Sequence, residues 1–588
     1  MQAFKGTFWS MIEKSAARQW YAKVSVSQIN IANLIFAGTV GTIVYLVLGP
    51  MIFLLWSSFR TALPTPADPG NYTFDNYVFA YTSPMTYHLF LNTIVFVAVS
   101  TSIAVVVAFA FAWLIERTDI PAKKTLFMLI LLPAAVPSML MAMAYIILAG
   151  PEAGIINVIF HQLFGFKPIN IFSRSWLFAL NGLHGVPATF LILLGALRSM
   201  DPSLEEAASV SGASRMATVR RVTLPMMLPA ILAASIYTGM SAAETFELPT
   251  LIGVPIGFHV FSSQVYLSIR VWGNHTLASA YSVIFPGILV ALIFFYQRAT
   301  RQMYRYTTIS GKGYRPKLMA IGRWKFPALA MIASFYLVTG GLPLLVFIAS
   351  SFFPDWRAHG LSALAQPSLD SFRSAFGNAV FLDSLKHTAF ITLVTPIITV
   401  SLISVISWLI VRSNLGPKAK TALDAVTFWP HAYPGIVLGV GLLWFFIMVD
   451  FPPVWGTLWP VIFGLTISYM PFTVRTLNAA FIQVHKELEE AAYVSGASWL
   501  ATFRKILLPL VAPAMASAAL WIAIHAMRSL TVPMFLSTHG NDVLAVLVWT
   551  YWESNMVESV SVIGLFYLVT CAVLSLLWRH LSFREFVR

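Results

Sequence analysis

The chain has 588 residues, 58% of them hydrophobic and only 10% charged, with 37 Lys and Arg against 23 Asp and Glu for a formal charge of +14. Soluble domains carry about 25% charged residues, so an ordinary soluble protein is excluded and an integral membrane protein is indicated, in line with a mean hydropathy of +0.77. The basic residues flank apolar runs instead of gathering on one accessible face, which points to orientation in a bilayer and away from nucleic acid.

Met1–Asn30 is mixed polar, with Lys5, Lys14, Arg18 and Lys23. The first long apolar run starts near Ile31, too late and too long for a cleavable signal peptide, so the segment reads as a cytoplasmic leader. A helix needs about 20 apolar residues to cross the hydrocarbon core. By that measure the first half offers spans near 32–58, 88–115, 125–150, 175–199, 226–252 and 277–297. The second half offers 326–352, 384–411, 421–449, 455–478, 510–536 and 560–578. The predicted fold is all-α: a polytopic membrane protein of about 12 transmembrane helices in two homologous six-helix halves. Its predicted parts are a leader (1–30), a first membrane domain (31–298), a basic cytoplasmic linker (299–325), a second membrane domain (326–580) and a cytoplasmic tail (581–588).

Basic residues set the expected orientation. The link carries Arg298, Arg301, Arg305, Lys312, Arg315, Lys317, Arg323 and Lys325 without an acid, and the C-terminus adds Arg579, Arg584 and Arg588. By contrast, 537–559 has Asp542, Glu553 and Glu558 and no Lys or Arg. The positive-inside rule then places both termini and the link in the cytoplasm. Cys571 is the single cysteine, so no intrachain disulfide forms.

A passage in the first half returns in the second. Leu204–Pro229 reads LEEAASVSGASRMATVRRVTLPMMLP and Leu488–Pro513 reads LEEAAYVSGASWLATFRKILLPLVAP, identical at 16 of 26 positions. Each copy is a polar island between apolar stretches. The repeat continues in AWLIER at 112–117 against SWLIVR at 407–412, and in the proline pairs Pro133/Pro430 and Pro137/Pro434. Two halves that both begin in the cytoplasm have the same topology and a pseudo-twofold axis along the membrane normal, the parallel class of transporter repeat. Within each copy LEEAAxVSGAS predicts a short helix, a glycine turn and a second helix. Asp201-Pro202-Ser203 supplies a start signal that the second copy lacks, and Ser214 and Ser498 are placed to cap the second helix. Gly212 and Gly496 suit a left-handed or tightly packed turn. A bare connector would have no reason to keep small residues in duplicate, whereas a helix approached closely by another surface would.

These loops resemble the EAA motif of permease subunits of ATP-binding-cassette importers, in which EAA is followed by a glycine about six residues later. Glu206-Ala207-Ala208 with Gly212 and Glu490-Ala491-Ala492 with Gly496 match it in both halves. The resemblance implies the type I importer membrane fold and two coupling helices, at 204–223 and 488–507, that fit grooves on cytoplasmic ATPases. Their residues would be Glu205, Glu206, Ala207, Ala208 and Gly212 in one loop and Glu489, Glu490, Ala491, Ala492 and Gly496 in the other. The chain has no GxxxxGK[ST] phosphate loop, so ATP and Mg belong on two copies of a separate ATP-binding subunit. The chain itself is expected to be no enzyme and to bind no cofactor. The further implied partners are a periplasmic substrate-binding protein and the lipid bilayer, and the implied location is a bacterial inner membrane.

For cargo the signal is thinner. At matched positions of SAAETFELPTLIG (241–253) and HAMRSLTVPMFLS (525–537), Glu244 stands against Arg528 and Glu247 against Thr531. Ionisable groups at membrane depth are functional candidates by default. Glu244 and Arg528 could pair as a gate, Glu244 and Glu247 could offer oxygens to a passing hard cation, or all three could face water at the outer end. His184, His387, His431, His525 and His539 show no metal-ligand spacing, and no metal site is expected. Single chains with two EAA halves are most similar to ferric-iron permeases. Thiamine, polyamine and phosphonate or organophosphate systems are the alternatives. An ion-driven secondary transporter also has twelve spans in two halves, but it has no use for paired EAA loops.

Overall fold

The computed structural model describes residues 36–61, 70–201, 203–284, 287, 318–354, 356, 360–413, 415–449 and 451–586. The leader, the linker as far as 317, the end of the sixth span beyond 287 and the last two residues of the tail lie outside these. Among the described residues every regular element is a helix, and β-type pairing is limited to two isolated bridges, Arg60 with Tyr72 and Thr118 with Met319.

Seven helices are long and apolar enough to cross a membrane: Phe36–Ser58, Pro84–Arg117, Arg174–Ser199, Met216–Glu244, Gly322–Phe352, Ala379–Val411 and Trp499–Arg528. Two bent pairs raise the number to as many as 9 among the described residues, so the expected twelve are not all counted by this measure. Part of the shortfall comes from prolines. The span expected at 125–150 is Lys123–Ala135 followed by Ser138–Ala149, bent by 92°. Pro133 lies in a tight 3-10 turn, and Val136 is extended (φ −78°, ψ 118°) as the residue before Pro137 must be. Helix Pro417–Phe428 gives way to a turn at Trp429–Ala432 before Gly435–Val449.

Contacts group the chain into two compact units that cut across the sequence halves. One takes the chain up to Met51 with Ile391–His431 and Ile462–Ala526; the other takes Ile52–Phe390, Ala432–Val461 and the chain from Met527 onward. In the larger unit Arg174–Ser199 lies along Pro84–Arg117 at short range. A Cβ on Gly182 would stand 2.8 Å from both Ile103 Cβ and the Ser100 carbonyl, so only glycine allows the approach. Hydroxyls bind the helices further: Thr189 and Thr238 meet at 2.6 Å, and Ser100 donates to the Phe178 carbonyl at 3.3 Å. The buried core around them runs through Phe111, Ile115, Phe190, Leu193, Leu197 and Phe335. In the smaller unit Val400, Ala518 and Ile522 are buried together, and Thr399 donates to Thr466 at 3.2 Å. Small residues and interhelical hydroxyls are the means of helix association where lipid removes the hydrophobic driving force, each bond contributing about 0.6 kcal/mol.

Candidate functional site

Each repeated loop folds from local signals into the same motif. The first is helix Ser203–Val210, a glycine turn, the single turn Arg215–Thr218, a π-helical turn at Val219–Thr223, and the long helix Leu224–Glu244. Asp201 accepts from the Ser203 amide at 2.9 Å, which is the start expected from the sequence. The second runs Glu487–Val494, Trp499–Thr502, a π turn at Phe503–Leu507 and Leu508–Arg528. Both π turns directly precede a helix with proline at its second position, Pro225 or Pro509. Widening the turn there spares the clash between a proline ring and the carbonyl four residues earlier.

Nearly every residue of VSGAS has a backbone task. Gly212 and Gly496 have φ of +81° and +83°, the left-handed conformation that closes a helix. The amides of Ala213 and Ala497 then donate to the carbonyls of Ala208 and Ala492, both at 3.0 Å. Ser211 and Ser495 hydroxyls donate to Ala207 and Ala491 carbonyls, both at 2.8 Å. Ser214 and Ser498 accept from Ala217 and Ala501 amides at 3.3 and 3.2 Å, the expected caps. No atom lies within 4 Å of where a Cβ would stand on Gly212 or Gly496, so left-handed backbone and not close packing demands glycine.

What remains after these tasks is a matched set of apolar side chains facing outward. In the first loop Leu204 is 44% exposed, Val210 89% and Met216 75%; at the equivalent positions Leu488 is 44%, Val494 74% and Leu500 53% exposed. The alanines and Glu206 or Glu490 sit on the same short helices, with Ala207, Glu490 and Ala491 exposed and Ala492 buried.

Beneath each loop lies a buried arginine. Arg117 Nε is 2.8 Å from Glu205 Oε2, and its Nη2 donates to the carbonyls of Leu197 and Met200 at 2.9 and 3.3 Å. Thr223 adds a hydroxyl on Glu205 Oε1 at 2.5 Å. In the second loop Arg412 Nε is 3.5 Å from Glu489 Oε1, and its Nη2 donates to the carbonyls of Phe481 and Val484. These are ion pairs by distance; neither Nε is aligned for a hydrogen bond. Here Trp408 Nε1 approaches Glu489 Oε2 at 3.4 Å in place of the threonine. Trp408 stacks on Phe36 at 5.3 Å and meets Trp499 edge-on at 5.2 Å, and Trp499 stacks on Phe503 at 5.2 Å. Burial, followed by the nearby charge of Glu489, pushes the Tyr493 hydroxyl up to about 12.

The ionisable candidates lie at and just beyond the ends of the long helices after the loops. Glu244 closes Leu224–Glu244 and Arg528 closes Leu508–Arg528. Both are partly buried, as is Glu247. Arg528 donates to the Ala134 carbonyl in the proline break of the third span, while Glu247 lies within reach of Ser138 just beyond it. No Glu244–Arg528 ion pair within 4 Å is present among the described residues. Nor does any group of three His, Cys, Asp or Glu among them stand close enough to hold a metal. His387 and His525 each direct a ring nitrogen to a backbone carbonyl, of Asp542 at 3.0 Å and Trp521 at 2.9 Å.

One feature escaped the sequence. Residues 253–276 and 537–559 read as connections, yet Phe261–Arg270 and Leu544–Glu553 are helices with mostly buried residues. Tyr266 and Trp549 hold the same position in each, as the sixth residue of the helix. The two touch: Trp549 Nε1 donates to Tyr266 Oη at 3.1 Å, Tyr266 donates to Glu553, and Phe246 packs on both rings at 4.9 and 5.2 Å. Equivalent residues meet one another only near a twofold axis. Each aromatic stands nine residues after a glycine, Gly257 or Gly540, and that was the available signal.

The chain belongs to the family of binding-protein-dependent transport system inner membrane components, which it matches over residues 104–303 and 404–586, each segment containing one repeated loop. It is 26% identical over 431 residues to the ferric transport system permease protein FbpB of Actinobacillus pleuropneumoniae, covering 71% of this chain and 60% of that protein. It is 22% identical over 375 residues to the Fe(3+)-transport system permease protein FbpB 2 of Haemophilus influenzae, covering 63% of this chain and 69% of that protein. A solved bacterial ABC transporter involved in import of the acidic polysaccharide alginate is 18% identical, with a TM-score of 0.39, over 50% of this chain and 99% of that one. The chain is therefore a multi-span membrane permease subunit of an ABC importer.

Proposed function

We propose that this chain supplies both membrane domains of an importer driven by two ATPase subunits, and that it carries ferric iron delivered by a periplasmic binding protein. The observation that carries the first part is the duplicated outward set Leu204, Val210, Met216 and Leu488, Val494, Leu500 on two otherwise polar loops. Exposed apolar residues in a fixed, twice-repeated arrangement fit a soluble protein surface docked twice. With no phosphate loop in the sequence, the ATP site belongs to that surface, with its Mg, and this chain holds no cofactor. The basic link and tail favour cytoplasmic termini and loops.

Iron as the cargo rests on the ferric permease relatives and on the carboxylates Glu244 and Glu247 on the helices beyond the first loop. With Arg528 they form the polar part of the candidate pathway. Arg528 is tethered to Ala134, so the arginine in this state braces the broken third span. The test is uptake of labelled ferric iron, thiamine and a polyamine in cells with and without this gene. Loss of iron uptake alone supports the full reading. Loss of another solute keeps the importer and replaces its cargo, and a chain that retains no ATPase on purification refutes the docking.

A further inference from the structure

The arginine that ends AWLIER and SWLIVR is buried away from the outward face, yet it occurs under both loops. We propose that Arg117 and Arg412 are the two rigid joints that turn pressure on a docking helix into movement of the membrane helices. This rests on the docking function proposed above and adds the residues through which docking acts.

Each guanidinium binds three elements at once. It stands at the C-terminal end of one long helix, Pro84–Arg117, or just past the end of Ala379–Val411. It donates to carbonyls at the end of a second, Arg174–Ser199 or Trp459–Gln483, where the last turn leaves acceptors without intrahelical partners. Its other edge faces Glu205 or Glu489 in the opening turns of the docking helix. The fork of donors that only arginine offers makes this three-way contact possible; lysine, a point charge, holds one or two of them. Both side chains are nearly buried, at 5% and 4% exposure. A buried pair adds little to stability over a well-packed apolar substitute, so its presence twice calls for a mechanical reason.

The spacing supports that reading. From the arginine to its glutamate is 88 residues in the first half and 77 in the second, because the connection after the third span is longer in the first. The three-way contact has nevertheless formed at the same place on each loop, down to the matched carbonyls of Leu197 with Phe481 and Met200 with Val484. A docking helix pushed from below cannot hinge freely about its glycine while its glutamate is fixed to two span ends. Displacement of the loop then carries both spans with it.

The experiment uses the full chain with its ATPase subunits and binding protein in proteoliposomes. It reads labelled ferric iron taken up per ATP hydrolysed. Arg117→Lys and Arg412→Lys keep the charge and lose the fork; each is expected to lower that ratio about fivefold or more, with the ATPase subunits still co-purifying. Ratios equal to wild type in both variants overturn the proposal, because a merely stabilising arginine would be replaced by lysine without loss of coupling. If the lysine chains fail to assemble, Glu205→Gln and Glu489→Gln remove the charge and keep the shape. A lowered ratio there supports the joint, and a wild-type ratio overturns it. Absence of ATP hydrolysis by the wild-type complex strikes the docking function itself, and hydrolysis without iron uptake strikes the cargo.

Discussion

The two repeated loops share a backbone and differ in what holds it. The first loop is secured by charge: Glu205 takes Arg117 at 2.8 Å and the Thr223 hydroxyl at 2.5 Å. In the second, leucine stands where Thr223 would be, and the ion pair to Arg412 lengthens to 3.5 Å. Aromatic packing takes over there, with Phe36, Trp408, Trp499 and Phe503 in one cluster around Glu489. The first loop has Arg215 and Val219 at the positions of Trp499 and Phe503. A shared outward face on different supports separates the features common to both loops from those that follow the local neighbourhood. The turn, the caps and the exposed apolar set are common to both; the bracing was free to diverge.

The difference can be broken from either side, and the largest effect is expected in the second loop. Trp408→Ala removes the centre of the aromatic cluster and should loosen residues 487–502 by about 3–5 kcal/mol. Amide hydrogen exchange should show faster opening there and no change at 203–218; equal loosening of both loops would contradict separate supports. Next, Glu205→Gln should loosen the first loop by roughly 1.5–3 kcal/mol, the worth of hydrogen bonds to a charged group. Glu489→Gln should cost less because its arginine is farther away, and the ranking is checked by the same exchange measurement. Thr223→Val should cost about 1 kcal/mol in the first loop, whereas its counterpart Leu507 has no such bond to lose. The smallest contrast is a null one. Gly212→Ala and Gly496→Ala place a Cβ on left-handed backbone with open space around it, so each should destabilise its turn by roughly 1–2 kcal/mol, and equally. A clear inequality would mean that the turns are not equivalent.

What the sequence reveals here depends on range along the chain. The loops were legible because their signals are local: Gly212 and Gly496 for the left-handed turn, Ser214 and Ser498 for the caps, Asp201 for the first start. The breaks at Pro133, Pro137, Pro430 and Pro434 were legible as matched prolines, though not the 92° bend. Arg117 and Arg412 were visible only as repeat identities. Their partners are some 80 residues away, and the two halves differ in register between arginine and loop. The buried helices Phe261–Arg270 and Leu544–Glu553 were taken for connections because each is only ten residues long, and the first buries Ser262, Ser263, Gln264 and Ser268. Polar residues look like solvent-facing ones until their neighbours are known. The gate reading of Glu244 and Arg528, one of three left open, assumed that matched positions pair with each other. Tyr266 and Trp549 do so; Arg528 instead reaches a carbonyl freed by the proline break, which no residue pattern announces.

The central claim is that two matched outward faces hold two ATPase subunits. Its most direct measurement is the amount of ATPase that co-purifies with the wild-type chain, with Val210→Asp, with Val494→Asp and with both together. Val210 and Val494 are 89% and 74% exposed, so the aspartates should leave the helices folded. Two ATPase subunits on the wild type, weakened retention with either single change and none with both is the result expected. Undiminished ATPase on the double variant would contradict the account.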